Sequence, residues 1–398
     1  MATQVATKYN VGGMLLDQPF KIRRLGHFGF NVADVEACRH FYSDLLGFRV
    51  SDARPNGMGY FMRFGGDHHA LALFAKLREG EAAPNGRRYA APDITINQIT
   101  WQTQSLSEPV SAVDYFAERG IELQRTGRDG AGSNWATYFY DPDGHTNELY
   151  YGIEQIGWDG HSKPEQFRRP VREKVKLPVP SEFDEVQESL ATTGVTPTAG
   201  HRHVETMPPI YEVGGIMLPR PFKIVKHGPV NIFVEDVERA RDFYIENLGF
   251  SVTEESVWQG ERCAFLRCNT EHHSLALFPR TWRERLGLSS HTTSMSFGIQ
   301  VANYQQLKDA IRFLRENGVR VETELIPPDL YPGIDYSAHA FDPDGHCIQL
   351  YYYMEQVGWD GRVRPKSERR QVDPGNWPDT LEPLSDTFGG EPFLGPWG

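Results

Sequence analysis

Cysteine is scarce in this chain of 398 residues: only Cys38, Cys263, Cys268 and Cys347 occur. Their scatter matches neither a disulfide framework nor the paired spacing of a structural metal site, so a reducing compartment, the cytoplasm, is expected. No apolar run approaches the roughly 18 residues a bilayer-spanning helix needs, so no membrane partner is expected. Met1 to Asn10 has neither an apolar core nor a small-residue cleavage pattern, and no secretory leader is expected. Positive charge is also short, with 41 Lys and Arg against 53 Asp and Glu and a net charge of −12. Arg168-Arg169 and Arg369-Arg370 are isolated pairs rather than a basic stripe, which argues against a nucleic-acid partner. The remaining composition, 39% hydrophobic and 24% charged, is that of a globular chain long enough for two or three domains.

What the chain does contain is itself, twice. At an offset close to 202, Tyr9-Asn-Val-Gly-Gly returns as Tyr211-Glu-Val-Gly-Gly, and Pro19-Phe-Lys-Ile returns as Pro221-Phe-Lys-Ile. Phe41-Tyr and Leu46-Gly-Phe return as Phe243-Tyr and Leu248-Gly-Phe. His68-His69-Ala-Leu-Ala-Leu-Phe returns as His272-His273-Ser-Leu-Ala-Leu-Phe, and Asp141-Pro-Asp-Gly-His as Asp342-Pro-Asp-Gly-His. Ordered matches at one offset are the mark of a duplicated unit. The predicted organisation is an N-terminal module over 1–160, a linker over 161–208 rich in Pro, Glu, Lys, Thr and Ser, a C-terminal module over 209–364, and a tail over 365–398. One short helix is expected in the linker, near Glu182 to Leu190.

Each half reads as α+β. Gly26 to Val32 alternates, which places His27, Gly29 and Asn31 on one face of a strand. Asp34 stands at a helix start, and Val35, Cys38, Phe41, Tyr42 and Leu45 follow at helical spacing until Gly47. Strands are predicted at Gly59 to Phe64 and Ala70 to Phe74. The order then repeats: a strand over Ile94 to Gln102, a helix over Pro109 to Arg119, and strands near Glu122, Ala136 to Tyr140 and Asn147 to Tyr151. The turn between the last two is Asp141-Pro-Asp-Gly, suited to a tight reversal.

A His on the first strand, Phe-Tyr and Leu-Gly-Phe after it, and Asp-Pro-Asp-Gly shortly before a Glu on the last strand resemble the vicinal oxygen chelate (VOC) superfamily. Within it, the two-module type I extradiol ring-cleavage dioxygenases look most similar, over about 20 to 156 and 222 to 357. The resemblance implies tandem modules, each a pair of βαβββ-type units forming a curved, cup-like mixed sheet. It further implies an oxidoreductase in which one cup holds Fe(II), or Mn(II), through two His and one Glu, leaving positions open for a catechol-like aromatic substrate and dioxygen.

Carried onto this chain, the resemblance makes His27 the first ligand and Glu148 the last, where the second half has Pro229 and Gln349. The middle ligand falls on Gln98, fifty residues before Glu148, where the family has His. The implied proton donor and acceptor beside dioxygen is His69, and the implied substrate-binding tyrosine is Tyr138. A further His expected among Arg128 to Gly132 is missing. His69 recurs as His273, so a structural role in closing the cup stays open for it. Trp135 is either a substrate wall or core, and His145 and His346 read as turn residues. Two other functions remain open: a non-redox metalloenzyme of glyoxalase or epimerase type with Zn(II) or Ni(II), which would suit Gln98, and a metal-free aromatic-binding protein. A homo-oligomer is compatible with the sequence.

Overall fold

The computed structural model describes residues 8–76, 92–288, 291–327, 330–358 and 360–381. The expectation of a leaderless N-terminus over its first seven residues, and that of a tail past 381, lie outside the described residues. A small hairpin of β1 (Tyr9–Val11) and β2 (Met14–Leu16) precedes the first module. The module runs β3 (Arg24–Val32), α1 (Val35–Arg39), β4 (Arg49–Ala53), β5 (Gly59–Arg63), β6 (Leu71–Ala75), β7 (Ile96–Gln102), α2 (Ser107–Glu118), β8 (Leu123–Arg128), β9 (Trp135–Tyr140) and β10 (Thr146–Tyr151). These strands form one curved sheet of eight in the order β4-β5-β6-β3-β7-β10-β9-β8. The duplicated order of helices and strands is therefore an α+β fold with two units joined at β3 and β7.

Local chemistry sets the elements. The Asp34 side chain accepts a hydrogen bond from the Ala37 amide and starts α1, the usual role of an aspartate at that position. The helix continues as a wider π turn over His40–Leu45, which buries Phe41 and Tyr42 beneath the sheet.

The hairpin β11 (Tyr211–Val213) and β12 (Ile216–Leu218) opens the second module. Then follow β13 (Ile224–Val234), α4 (Val237–Leu248), β14 (Ser251–Trp258), β15 (Glu261–Arg267), β16 (Leu275–Pro279), α5 (Trp282–Arg285), β17 (Ser294–Val301), α6 (Tyr304–Glu316), β18 (Val321–Glu322), β19 (Ser337–Phe341) and β20 (Cys347–Tyr351). The strand order repeats that of the first sheet.

One apolar core runs through both modules, with Phe28 stacked on Phe297 at 4.6 Å between ring centroids. The two turn histidines do more than turn. His145 holds Asp141 through Nδ1 and meets Thr293 Oγ1 of the other module at 2.9 Å, while His346 holds Asp342 and meets Thr95 Oγ1 at 2.8 Å. Tyr244 and Tyr42 donate to the same two aspartates across the junction. Each of these buried side chains thus has a partner, as burial requires.

Between the modules, α3 (Glu182–Thr193) is the expected helix, capped by Ser181. It is strapped onto the first module by the buried pair Arg128–Glu185 at 2.6 Å, and upstream Arg168 reaches Asp52 at 2.5 Å. Among the described residues no helix is long and apolar enough to cross a membrane.

Candidate active site

The site is built as a row across five strands. His27 on β3 stands opposite Thr100 on β7, Thr100 opposite Glu148 on β10, Glu148 opposite Tyr138 on β9, and Tyr138 opposite Arg125 on β8. Residues opposite one another in neighbouring strands point to one face, so this row lines the concave side. An irregularity between Leu25 and His27 sets the alignment: without that one-residue shift His27 would face Ile99. Gly26 occupies the shift, and a Cβ there would collide with the Tyr150 ring at 2.2 Å.

Within the row, His27 Nε2 lies 3.2 Å from Glu148 Oε2, and Thr100 Oγ1 donates to that same oxygen at 3.1 Å. Asn134 Nδ2 donates to the other carboxylate oxygen at 2.6 Å. All four residues are buried, and His27 Nδ1 has no partner among the described residues. The His27 ring is held instead by packing, 4.2 Å from the His69 ring and 5.2 Å from Tyr150.

His69 is oriented from behind. Its Nδ1 lies 3.0 Å from His68 Nδ1, and His68 Nε2 lies 2.5 Å from Asp52 Oδ2. Burial pushes the Asp52 carboxyl up, but His68 and Arg168 outweigh it and hold the group below its ordinary range. An ionised Asp52 can only accept, so His68 carries its proton on Nε2 and offers a lone pair at Nδ1. His69 then donates from Nδ1, which leaves Nε2 as an acceptor. Burial, the largest cause, pushes the His69 pKa well down and keeps the ring neutral.

Tyr138 is committed on one side: its hydroxyl donates to Asp129 Oδ2 at 2.6 Å, under the Arg125 guanidinium 3.6 Å above its ring. Burial, reinforced by Asp129 and Glu148, raises its pKa well above the usual value despite Arg125. It therefore stays a phenol whose oxygen can still accept. Trp135 lies half-buried beneath Arg128, 4.8 Å from its guanidinium, away from the row.

The second cup is a filled copy. Its row reads Gly298, Gln349, His339 and Glu322, with Pro229 in the β13 irregularity between His227 and Val230. A Cβ at Gly298 would lie 2.5 Å from the Pro229 ring. Tyr331 fills the space, 5.1 Å from the His273 ring and stacked on Phe278, and it hydrogen-bonds Asn231 at 2.6 Å. The matching residue in the first module is Gly130. The two loops are aligned by the bonds from Glu154 to Gly132 and from Glu355 to Gly333. A Cβ on Gly130 would meet nothing within 4 Å.

Of the residues expected from the sequence, His27, Glu148, His69 and Tyr138 converge on the first cup. Gln98 stands opposite Gly29, one position along the same face from Thr100, a displacement of about 7 Å. Thr100, Asn134, Asp52 and His68 were not expected. Two donors bound to one ion at right angles stand about 3 Å apart, close to the spacing of His27 Nε2 and Thr100 Oγ1 from Glu148 Oε2. One imidazole and two oxygens thus fit a hard divalent ion, though a hydroxyl stands where the two-imidazole set has its second ring. Among the described residues, one triple of His, Cys, Asp or Glu donors lies within 4.8 Å: His291, Asp344 and His346 at the module junction. Both nitrogens of His346 are already engaged there.

Comparison with known proteins follows this geometry. A family model for the Glyoxalase/Bleomycin resistance protein/Dioxygenase superfamily matches residues 24–149 and 226–350. Metapyrocatechase 2 of Cupriavidus necator is 29% identical over 136 residues, 34% of this chain and 38% of that protein. Homoprotocatechuate 2,3-dioxygenase of Arthrobacter globiformis is similar in fold, with TM-score 0.55, 18% identity and coverage of 86% and 83% of the two chains. A Mn(II)-bound glyoxalase of Novosphingobium aromaticivorans is also similar, with TM-score 0.53, 16% identity and 86% of each chain.

Proposed function

The chain belongs to the Glyoxalase/Bleomycin resistance protein/Dioxygenase superfamily, and on that premise we propose that its first cup is the active site of an extradiol-type oxidoreductase. The substrate is a catechol-like aromatic, cleaved with dioxygen, and the cofactor is a divalent ion, Fe(II) before Mn(II). The observation that carries the reading is the convergence of His27, Thr100 and Glu148 beside a histidine whose free nitrogen is fixed as an acceptor.

In this reading His27 and Glu148 hold the ion, Thr100 contributes its hydroxyl, and Gln98 borders the cup. Asn134 fixes the rotation of the Glu148 carboxylate, as supporting donors do around metal-binding carboxylates. The ion, when bound, supplies positive charge that draws two vicinal substrate oxygens and dioxygen to adjacent positions. His69 Nε2 accepts the proton that a substrate hydroxyl loses, and the Asp52–His68 pair holds its ring in that tautomer. Tyr138, its hydroxyl hydrogen already donated in a hydrogen bond to Asp129, accepts a hydrogen bond from the second substrate hydroxyl. The four cysteines are buried and form no disulfide among the described residues, in keeping with a cytoplasmic enzyme.

The test is a catechol panel offered to the Fe(II)-loaded protein with dioxygen uptake recorded. Equimolar uptake with appearance of a yellow ring-cleavage product is expected. Turnover of a VOC-type substrate without dioxygen and with Zn(II) or Ni(II) would replace this reading with the non-redox one. Catechol binding insensitive to chelator would replace it with metal-free binding.

A further inference from the structure

The mouth of the first cup holds more positive charge than its own side chains neutralise. Arg54, just after β4, places its guanidinium carbon 4.6 Å from the Phe74 ring centroid and 6.0 Å from that of Phe61. Phe61 packs on His69 at 5.0 Å, so an aromatic wall leads from the reactive end of the cup to Arg54. On the far edge of the sheet, Asp129 is fully subscribed. Arg125 grips it at 2.6 and 3.3 Å, Arg172 at 3.1 Å and the Tyr138 hydroxyl at 2.6 Å. Burial lowers the Arg54 pKa, and Arg125 and Arg172 add to that effect against the opposing pull of Asp129. Arg54 and the Asp129 cluster thus feel each other's charge from the two edge strands of the curved sheet, β4 and β8. Among the described residues the Arg54 side chain has no carboxylate within ion-pair distance and donates no hydrogen bond. Although solvent reaches it, a guanidinium without an ion pair of its own, beside an aspartate already shared by Arg125 and Arg172, favours an added anion.

The second cup lacks this arrangement. Ser256 stands two residues after Glu254, as Arg54 stands two after Asp52, and Glu322 takes the place of Arg125 in the row. The cationic mouth thus accompanies the unfilled cup.

We infer that the substrate of the first cup is a catechol bearing a carboxylate side group, and that Arg54 binds that carboxylate through its planar fork. This rests on the catechol reading above. The guanidinium suits a carboxylate because two parallel N–H groups match its two oxygens. The hydroxyl end of the ring then lies at His69, and the side group projects along the Phe61 and Phe74 wall.

The experiment measures anaerobic binding to the metal-loaded full chain by calorimetry. Its probes are catechol and three catechol acids with the carboxylate zero, one or two methylenes from the ring. At least one acid is expected to bind about tenfold tighter than catechol, the value of a charge-assisted hydrogen-bonded pair. In Arg54→Gln the ratio should fall to about one, and Arg54→Lys should restore part of it. Equal binding of catechol and all three acids, or a preference that survives in Arg54→Gln, overturns the subsite and leaves the catechol reading standing. Failure of all four probes to bind overturns that reading, and the subsite with it.

Discussion

Laid side by side, the two cups share one backbone and differ along one row of side chains. Where the first has His27, Thr100, Glu148, Tyr138 and Arg125, the second has Pro229, Gly298, Gln349, His339 and Glu322. Where the first has Gly130 facing open space, the second inserts Tyr331. The support behind the row survived in both: Arg168–Asp52–His68–His69 is matched by Arg369–Glu254–His272–His273, with the same 3.0 Å spacing between the paired ring nitrogens. In the second cup, however, His273 Nε2 is 3.0 Å from the Tyr331 hydroxyl. A histidine relay alone therefore does not distinguish the two cups; the row it faces and the space before it do.

The comparison can be broken at its histidines. His69→Phe should lower turnover by about 10²- to 10⁴-fold, the usual worth of a positioned acid or base, and His273→Phe should leave turnover within about twofold. Steady-state rates on a responsive catechol check this. Equal losses would mean that both histidines serve the fold.

A second break addresses the filling. Tyr331→Ala should destabilise the protein by about 3–5 kcal/mol in denaturant unfolding, because it empties a packed aromatic site and removes the partner of Asn231 and His273. Gly130→Ala, with nothing near its Cβ, should stay within about 0.5 kcal/mol. A negligible effect of Tyr331→Ala would show that the second cup is not held shut by that ring.

The smallest effect concerns acid. His339, which replaces Tyr138, is buried, and burial lowers its pKa to about 4 against the opposing pull of a backbone hydrogen bond at Glu322. The unfolded chain takes up that proton near pH 6.5 and the folded chain does so only near 4. Stability is therefore fully present above the unfolded value and lost as pH falls through this window. The loss from this residue is on the order of 3 kcal/mol. His339→Phe should flatten the pH dependence of unfolding between about 6.5 and 4; an unchanged slope would contradict the buried neutral state.

The duplication, the strand order of each half and the places of His27 and Glu148 on their strands were legible because they rest on repeated motifs and period-two alternation. Thr100 was not legible. Counting back from Glu148 selects Gln98, whereas the level of His27 is set by strand pairing and a one-residue irregularity at Gly26, which no spacing rule reveals. Asp52 and His68 meet only when β4 lies beside the β5–β6 edge, so their pairing is tertiary. The doubled His-His was the available signal, but its recurrence in the filled cup obscured it. The segment over 161–208 read as a linker because it is rich in proline and charge, yet Glu185 and Arg168 tie it to the first module.

The central claim is that one cup, the first, is the metal site. Crystals loaded with Fe(II) or Mn(II) and measured at the metal absorption edge should show one anomalous peak per chain, between His27 Nε2 and Glu148 Oε2. That peak should be absent in Glu148→Ala and unchanged in Gln349→Ala. A peak in the second cup, or one in the first that survives Glu148→Ala, would contradict the account.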